Sequence, residues 1–220
     1  MNKTKIEWTD MTWNPIKGLC PMGCYYCYAR RFYKRFKWNP EIRLDEKELL
    51  RPLEIKKPKK IFVCSTIELF HPEIPKEFRD EVFKIITNAN WQIFQILTKL
   101  PHLIDRDMPD NVWLGVSISS LEIIQEEERI WWLLNQKAKI KFVSLEPWLG
   151  QEIRCPSWLS DIDWLIIGGI TNAKGSRPTK EAICKLVEWV RDFFGIPVFI
   201  KDNLADIWGE PLIQEFPKGA

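Results

Sequence analysis

Seven short apolar runs, each of strand length, constrain this chain more than any other feature. They fall at Met11 to Ile16, Lys60 to Cys64, Ile93 to Leu97, Val112 to Ile118, Lys141 to Leu145, Trp164 to Ile167 and Val198 to Ile200. They read as largely continuous apolar stretches and not as alternation, the pattern of parallel strands covered on both faces. Between them lie segments with the apolar spacing of helices, over 29–36, 78–89, 123–134 and 183–194. Strand, helix, strand repeated in this way predicts an α/β fold with a parallel sheet and outer helices. Six or seven such strands can curl into a partial (β/α)6-type TIM-like barrel. An open doubly wound sheet is the competing architecture. In both, functional residues belong at the C-terminal ends of the strands.

The 220 residues carry no internal repeat, and the densest break, Lys56 to Lys60 with Pro58, is short enough to be a loop, so one domain over 1–220 is expected. No apolar run approaches the roughly 18 residues a membrane span needs. The start, MNKTKIEWTD, has no apolar stretch or cleavage pattern of a secretory leader, and a cytoplasmic protein is expected. Lys+Arg 32 against Asp+Glu 30 leaves the whole-molecule charge uninformative about partners. Local runs say more: Arg30, Arg31, Lys34, Arg35 and Lys37, then Lys56, Lys57, Lys59 and Lys60. Such runs are ordinarily solvated surface, and clustered cations are also the footprint of a phosphate-bearing partner.

In a reducing compartment six cysteines are not read as a disulfide framework, so their spacing carries the information. GLCPMGCYYCYARR places Cys20, Cys24 and Cys27 as C-x3-C-x2-C on a loop leading toward the first helix. An iron-sulfur cube normally takes four cysteines, so a local set of three leaves one iron open to another ligand. A zinc site, completed by Cys64, Cys155, Cys184, His71 or His102, is the other chemistry open to these thiolates. Cys64, Cys155 and Cys184 otherwise sit in or beside apolar segments and read as small buried hydrophobes.

The triad, with Tyr26 just before its last cysteine, resembles the radical S-adenosylmethionine (radical SAM) superfamily. The segments TKIEWTDMTWNP, ELFHPEIP, ILTKLP, VWLGVSI, SLEPWLG, WLIIGG and PVFIKD resemble a small phage-type radical SAM-like family of uncertain function, over nearly the whole chain. Ile170 and Thr171 depart from that pattern, standing where its members often carry a glutamate. The resemblance implies a 4Fe-4S cluster on Cys20, Cys24 and Cys27, and S-adenosylmethionine cleaved to a 5′-deoxyadenosyl radical that abstracts hydrogen from substrate. It also implies a low-potential electron donor such as flavodoxin or ferredoxin.

Polar residues ending the predicted strands are the candidates for holding the S-adenosylmethionine or the substrate: Ser65, Thr66 and Glu68; Thr98 and Lys99; Ser117; Glu146; Gly168 and Gly169; Lys201. Lys99 and Lys201 suit a carboxylate or an anionic substrate, and Glu146 a ribose hydroxyl or an amine. The paired glycines suit close approach to a flat ring, or simply a tight turn. No catalytic residue is singled out. The substrate stays open, with a nucleoside, nucleotide or nucleic acid in view. A non-catalytic iron-sulfur or zinc protein, serving electron transfer or nucleic-acid binding, is the alternative class.

Overall fold

Val, Ile, Phe and Trp dominate the predicted runs, and in the computed structural model, which describes residues 1–121, 123–150, 155–171 and 175–218, nearly all of them are strands. The strands are β1 (Asn2–Lys3), β2 (Met11–Trp13), β3 (Ile16–Lys17), β4 (Arg43–Leu44), β5 (Lys60–Val63), β6 (Ile93–Thr98), β7 (Val112–Ile118), β8 (Ile140–Leu145), β9 (Trp164–Ile167) and β10 (Val198–Ile200). The helices are α1 (Tyr28–Phe36), α2 (Glu46–Leu49), α3 (Arg51–Glu54), α4 (Lys76–Asn88), α5 (Ile124–Leu134), α6 (Lys180–Val187) and α7 (Ala205–Trp208). None among the described residues is long and apolar enough to cross a membrane.

Eight strands form one sheet in the order β1-β2-β5-β6-β7-β8-β9-β10. From β2 to β10 every pairing is parallel, and only β1 runs antiparallel, on the β2 edge. The parallel strands follow chain order without reversal, so the switch point of a doubly wound sheet is missing and the connections wind one way. The sheet also curls. Phe62 on β5 and Trp164 on β9 are four strands apart, about 19 Å on a flat sheet. Yet both rings reach Trp8, with centroids 4.7 and 6.3 Å away. No ladder joins β1 to β10, so the result is an open partial barrel.

Alternation along the strands sorts the core into two clusters. Outward residues such as Ile61, Phe94, Leu114, Val143 and Leu165 pack with Val82, Phe83, Ile130, Leu133, Ile183 and Leu186 of the helices. Inward residues Phe62, Trp113, Phe142, Trp164, Ile166 and Phe199 enclose Trp8, which fills the concave face. Trp13 belongs instead to the outer cluster, and its indole nitrogen donates to Glu48 O at 2.8 Å.

Two details differ from the sequence reading. The run Met11 to Ile16 is broken: β2 ends at Trp13, whose carbonyl accepts from Cys64 N at 2.8 Å. Pro15, lacking an N–H, cannot continue the ladder, and Ile16–Lys17 pairs with Arg43–Leu44 in a separate small sheet. The helix expected over 183–194 begins at Lys180 and passes into a π-helical turn over Glu188–Phe193. Between β6 and β7, and among the described residues between β8 and β9, the connection carries only a 3-10 turn.

Candidate functional site

A cavity of about 840 Å³ opens at the C-terminal ends of the parallel strands. One wall is the cysteine loop. Gly18 has φ +127°, and a Cβ there would stand 2.8 Å from Glu41 O, so the turn from β3 into the loop requires glycine. Cys27 caps α1 in an extended conformation, and its N–H donates to Cys24 O at 3.2 Å. Arg30 reaches back from α1 to donate to Cys20 O at 2.7 Å. Cys20, Cys24 and Cys27 all line the cavity as free, half-buried thiols. Burial, the largest influence, raises the Cys20 thiol above its ordinary value, with the Glu68 and Cys27 charges adding to the rise.

Among the described residues, no three His, Cys, Asp or Glu side chains form a group that could hold a metal ion. The donor chemistry nevertheless fits an iron-sulfur cluster: three free cysteines on one loop line one chamber large enough for a cluster and a nucleoside-sized ligand. Of the residues considered for completing a zinc tetrahedron, none but Cys64 lines the cavity; Cys64 is buried as its apolar segment implied, whereas Cys155 and Cys184, expected to be buried beside their apolar neighbours, are exposed. His71 Nδ1 accepts from Glu73 N at 3.2 Å.

The opposite wall is built from strand ends. Inward-pointing Lys99, Ser117, Ser144, Glu146 and Lys201 lie near the chamber's floor because they share the parity of the inner core residues one or more pleats below. Lys99 Nζ donates to Ser117 Oγ, and Ser117 Oγ donates to Glu146 O at 3.3 Å. Burial, above all, pulls the Lys99 ammonium below its usual value, against the opposing Cys24 charge. Lys201 Nζ bonds the Glu146 carboxylate and lies 3.8 Å from Glu7. Its pKa is raised: burial opposes the charged form, and the Glu146 carboxylate, by charge and hydrogen bond, outweighs burial.

Glu68 is buried and turned toward the neighbouring strand, accepting from Thr98 Oγ1 at 2.6 Å and Lys99 N at 2.8 Å. Asn14 Oδ1 gathers Ser65 Oγ at 3.2 Å and Thr66 N and Oγ1 at 3.3 Å. Gly168 does not line the cavity: a Cβ there would stand 3.0 Å from Lys201 Cδ and 3.1 Å from Glu146, so its bareness makes room for that ion pair. Gly169 lines the cavity, with Asn203 clamping it through Gly169 N to Oδ1 at 3.0 Å and Nδ2 to Gly169 O at 2.7 Å.

The structure thus brings the three cysteines together with Ser65, Thr66, Glu68, Thr98, Lys99, Ser117, Glu146, Gly169 and Lys201 around one chamber. Sequence reasoning missed Ser144, Tyr28 and Asn203. Ser144 was within reach, since it sits two residues before Glu146 and shares its face. Its hydroxyl is fully buried, lines the cavity and has no hydrogen-bond partner among the described residues. Tyr28 donates to Ser65 O at 2.9 Å across the rim, and Asn203 acts from a 3-10 turn, so neither has a strand pattern to betray it.

The family described as "Protein of unknown function (DUF5131)" matches residues 3–210. No curated protein matches the chain. Among solved structures it is similar to a spore photoproduct lyase double mutant with bound AdoMet and dinucleoside spore photoproduct, at a TM-score of 0.52 and 14% identity over 87% of this chain. The chain covers 63% of that lyase chain. At this identity the likeness is one of fold, a mostly parallel curled sheet with outer helices.

Proposed function

Because the chain belongs to the DUF5131 family of proteins of unknown function, its activity has to be read from its own residues, and we propose that it is a radical S-adenosylmethionine enzyme. One observation carries the proposal: the free thiols of C-x3-C-x2-C share a single chamber with buried, partly unsatisfied polar groups at the strand ends. The AdoMet bound by the similarly folded lyase supports it.

Cys20, Cys24 and Cys27 would hold a 4Fe-4S cluster, leaving one iron without a protein ligand. Once bound and reduced by a low-potential donor such as flavodoxin or ferredoxin, that group supplies reductive cleavage of S-adenosylmethionine to a 5′-deoxyadenosyl radical. The chain's own residues bind and orient. Glu146, fixed by Lys201, presents a carboxylate oxygen to ribose hydroxyls, and the orphan Ser144 hydroxyl offers the hydrogen bond that it lacks. Lys99, held in a desolvated position, attracts a carboxylate entering the chamber. Gly169, its peptide pinned by Asn203, allows a flat ring to lie against the backbone. The apolar floor around Trp8 keeps water from the inner end.

Anaerobic reconstitution tests the proposal. The chain should take up about four irons, the count of one cube, and lose them when any of the three cysteines is replaced by alanine. With dithionite and S-adenosylmethionine it should release 5′-deoxyadenosine. A colourless protein that binds zinc stoichiometrically and yields no 5′-deoxyadenosine would sink the reading.

A further inference from the structure

Helix α1 breaks the rule that a helix on a barrel buries its apolar stripe. Of its residues only Ala29 is buried. Tyr28, Phe32 and Phe36, one turn apart, stay 43%, 40% and 53% exposed, and Trp38 just beyond them is 48% exposed. These rings form a ladder, with centroids 5.8 Å apart for Tyr28 and Phe32, 6.0 Å for Phe32 and Phe36, and 5.6 Å for the stacked Phe36 and Trp38. An exposed aromatic patch of this kind marks an interaction site.

Two features say what covers it. From Tyr28 to Pro40 the chain contains no acidic residue, while Arg30, Arg31, Lys34, Arg35 and Lys37 flank the rings. Among the described residues Lys34, Arg35 and Lys37 make no salt bridge, and Arg35 lies over the Phe36 ring at 5.3 Å. The ladder is also continuous with the chamber, since Tyr28, Phe32 and Trp38 line both. The occupant therefore has flat faces for the rings, negative charge for the flank, and a part that enters the chamber. We propose that α1 and Trp38 form a stacking platform for single-stranded nucleic acid, which delivers one nucleotide of the strand into the cavity.

A second copy of the chain fits poorly, because two such faces would oppose like charges. A membrane fits poorly too: α1 is held to the protein through Tyr28 OH to Ser65 O and Gly18 N to Tyr33 OH, and Tyr28, Phe32 and Trp38 line the chamber instead of a flat outer face. The delivery half of the inference rests on the cavity being the reaction chamber proposed above. The platform itself does not need the cluster.

The test is fluorescence anisotropy with labelled oligothymidylate and oligouridylate of about twelve nucleotides, using the full chain with and without reconstituted iron. Phe36→Ala and Trp38→Ala should each weaken binding about tenfold, and Phe36→Tyr and Trp38→Phe should retain it. Lys34→Gln with Arg35→Gln should make the slope of log affinity against log salt shallower by about 1.4. The two oligonucleotides separate a DNA from an RNA preference. The inference is overturned by any of four results: no binding at about 100 μM protein in low salt; binding indifferent to the rings; equal affinity for duplex; or ring-dependent capture by anionic vesicles without oligonucleotide binding. Oligonucleotide binding without iron uptake would sink the radical reading and leave the platform standing, and the reverse result would do the opposite.

Discussion

Replacing Glu68 by alanine should cost the fold about 4 kcal/mol, because this carboxylate is the acceptor that joins the β5 end to the β6 end. The carboxylate receives two good hydrogen bonds, from Thr98 Oγ1 at 2.6 Å and Lys99 N at 2.8 Å, and a longer one from Phe70 N at 3.4 Å. Bonds to a charged acceptor contribute about 1.5–3 kcal/mol each, and an orphaned buried donor costs about 1–3 kcal/mol. Thr98 cannot turn away freely, since its oxygen also accepts from Leu100 N at 2.9 Å and the residue is buried. With a urea m-value near 2 kcal/mol/M, the midpoint of unfolding falls by about 2 M. Glu68→Gln keeps one acceptor oxygen and turns an amide toward the other donor, so it should lose roughly half as much. The measurement is urea unfolding followed by circular dichroism on metal-free protein, which keeps any cofactor effect out of the number. A Glu68→Ala midpoint within about 0.5 M of the parent, or a glutamine variant weaker than the alanine one, would refute the reasoning.

Gly115→Ala should lower the melting temperature by about 5 °C, since its Cβ would stand 2.5 Å from the Phe142 ring; Phe142→Leu in that background should recover much of the loss, and an unchanged melting curve would count against the packing argument. Asn203→Ala removes three hydrogen bonds, the third from Nδ2 to Thr171 Oγ1 at 3.0 Å, and should cost about 2 kcal/mol; calorimetry on the reconstituted protein should also show weaker S-adenosylmethionine binding than the parent's. Burial pushes the Cys64 thiol from 9.0 up to about 12, so the folded state holds its proton longer than the unfolded chain. Stability from this group is complete below 9.0 and is lost as pH rises toward about 12. In native-state alkylation at alkaline pH Cys155 and Cys184 should react while Cys64 stays silent, and fast Cys64 labelling in folded protein would contradict the burial.

The parallel sheet was legible because each run carries its own instruction: Val112–Ile118 is buried at every position, as a strand covered on both faces must be. The break inside Met11 to Ile16 was legible only in Pro15, and the apolar residues on either side masked it. Helix α1 shows the converse. Tyr28, Phe32 and Phe36 have the spacing of a core stripe, and nothing in that spacing tells that the sheet leaves them uncovered. At the site, the cysteine trio and the strand-end Lys99, Ser117, Glu146 and Lys201 could be found from position, because parallel strands all end on one side. Glu68 could be placed near the cavity but not given its partners, since its bonds to Thr98 and Lys99 span about thirty residues of chain.

Local order, then, was written in the chain itself: the strands, their common direction, and the loop that carries three cysteines. Short-range sterics and apolar periodicity act over a few residues and survive in any context. Tertiary structure alone decided that the sheet curls around Trp8, that Lys201 turns to Glu146 and Glu68 to Thr98, and that the rings of α1 are left facing solvent beside the chamber. Those outcomes depend on which surfaces remain after distant segments have packed, and the free energy of that choice is shared by many residues.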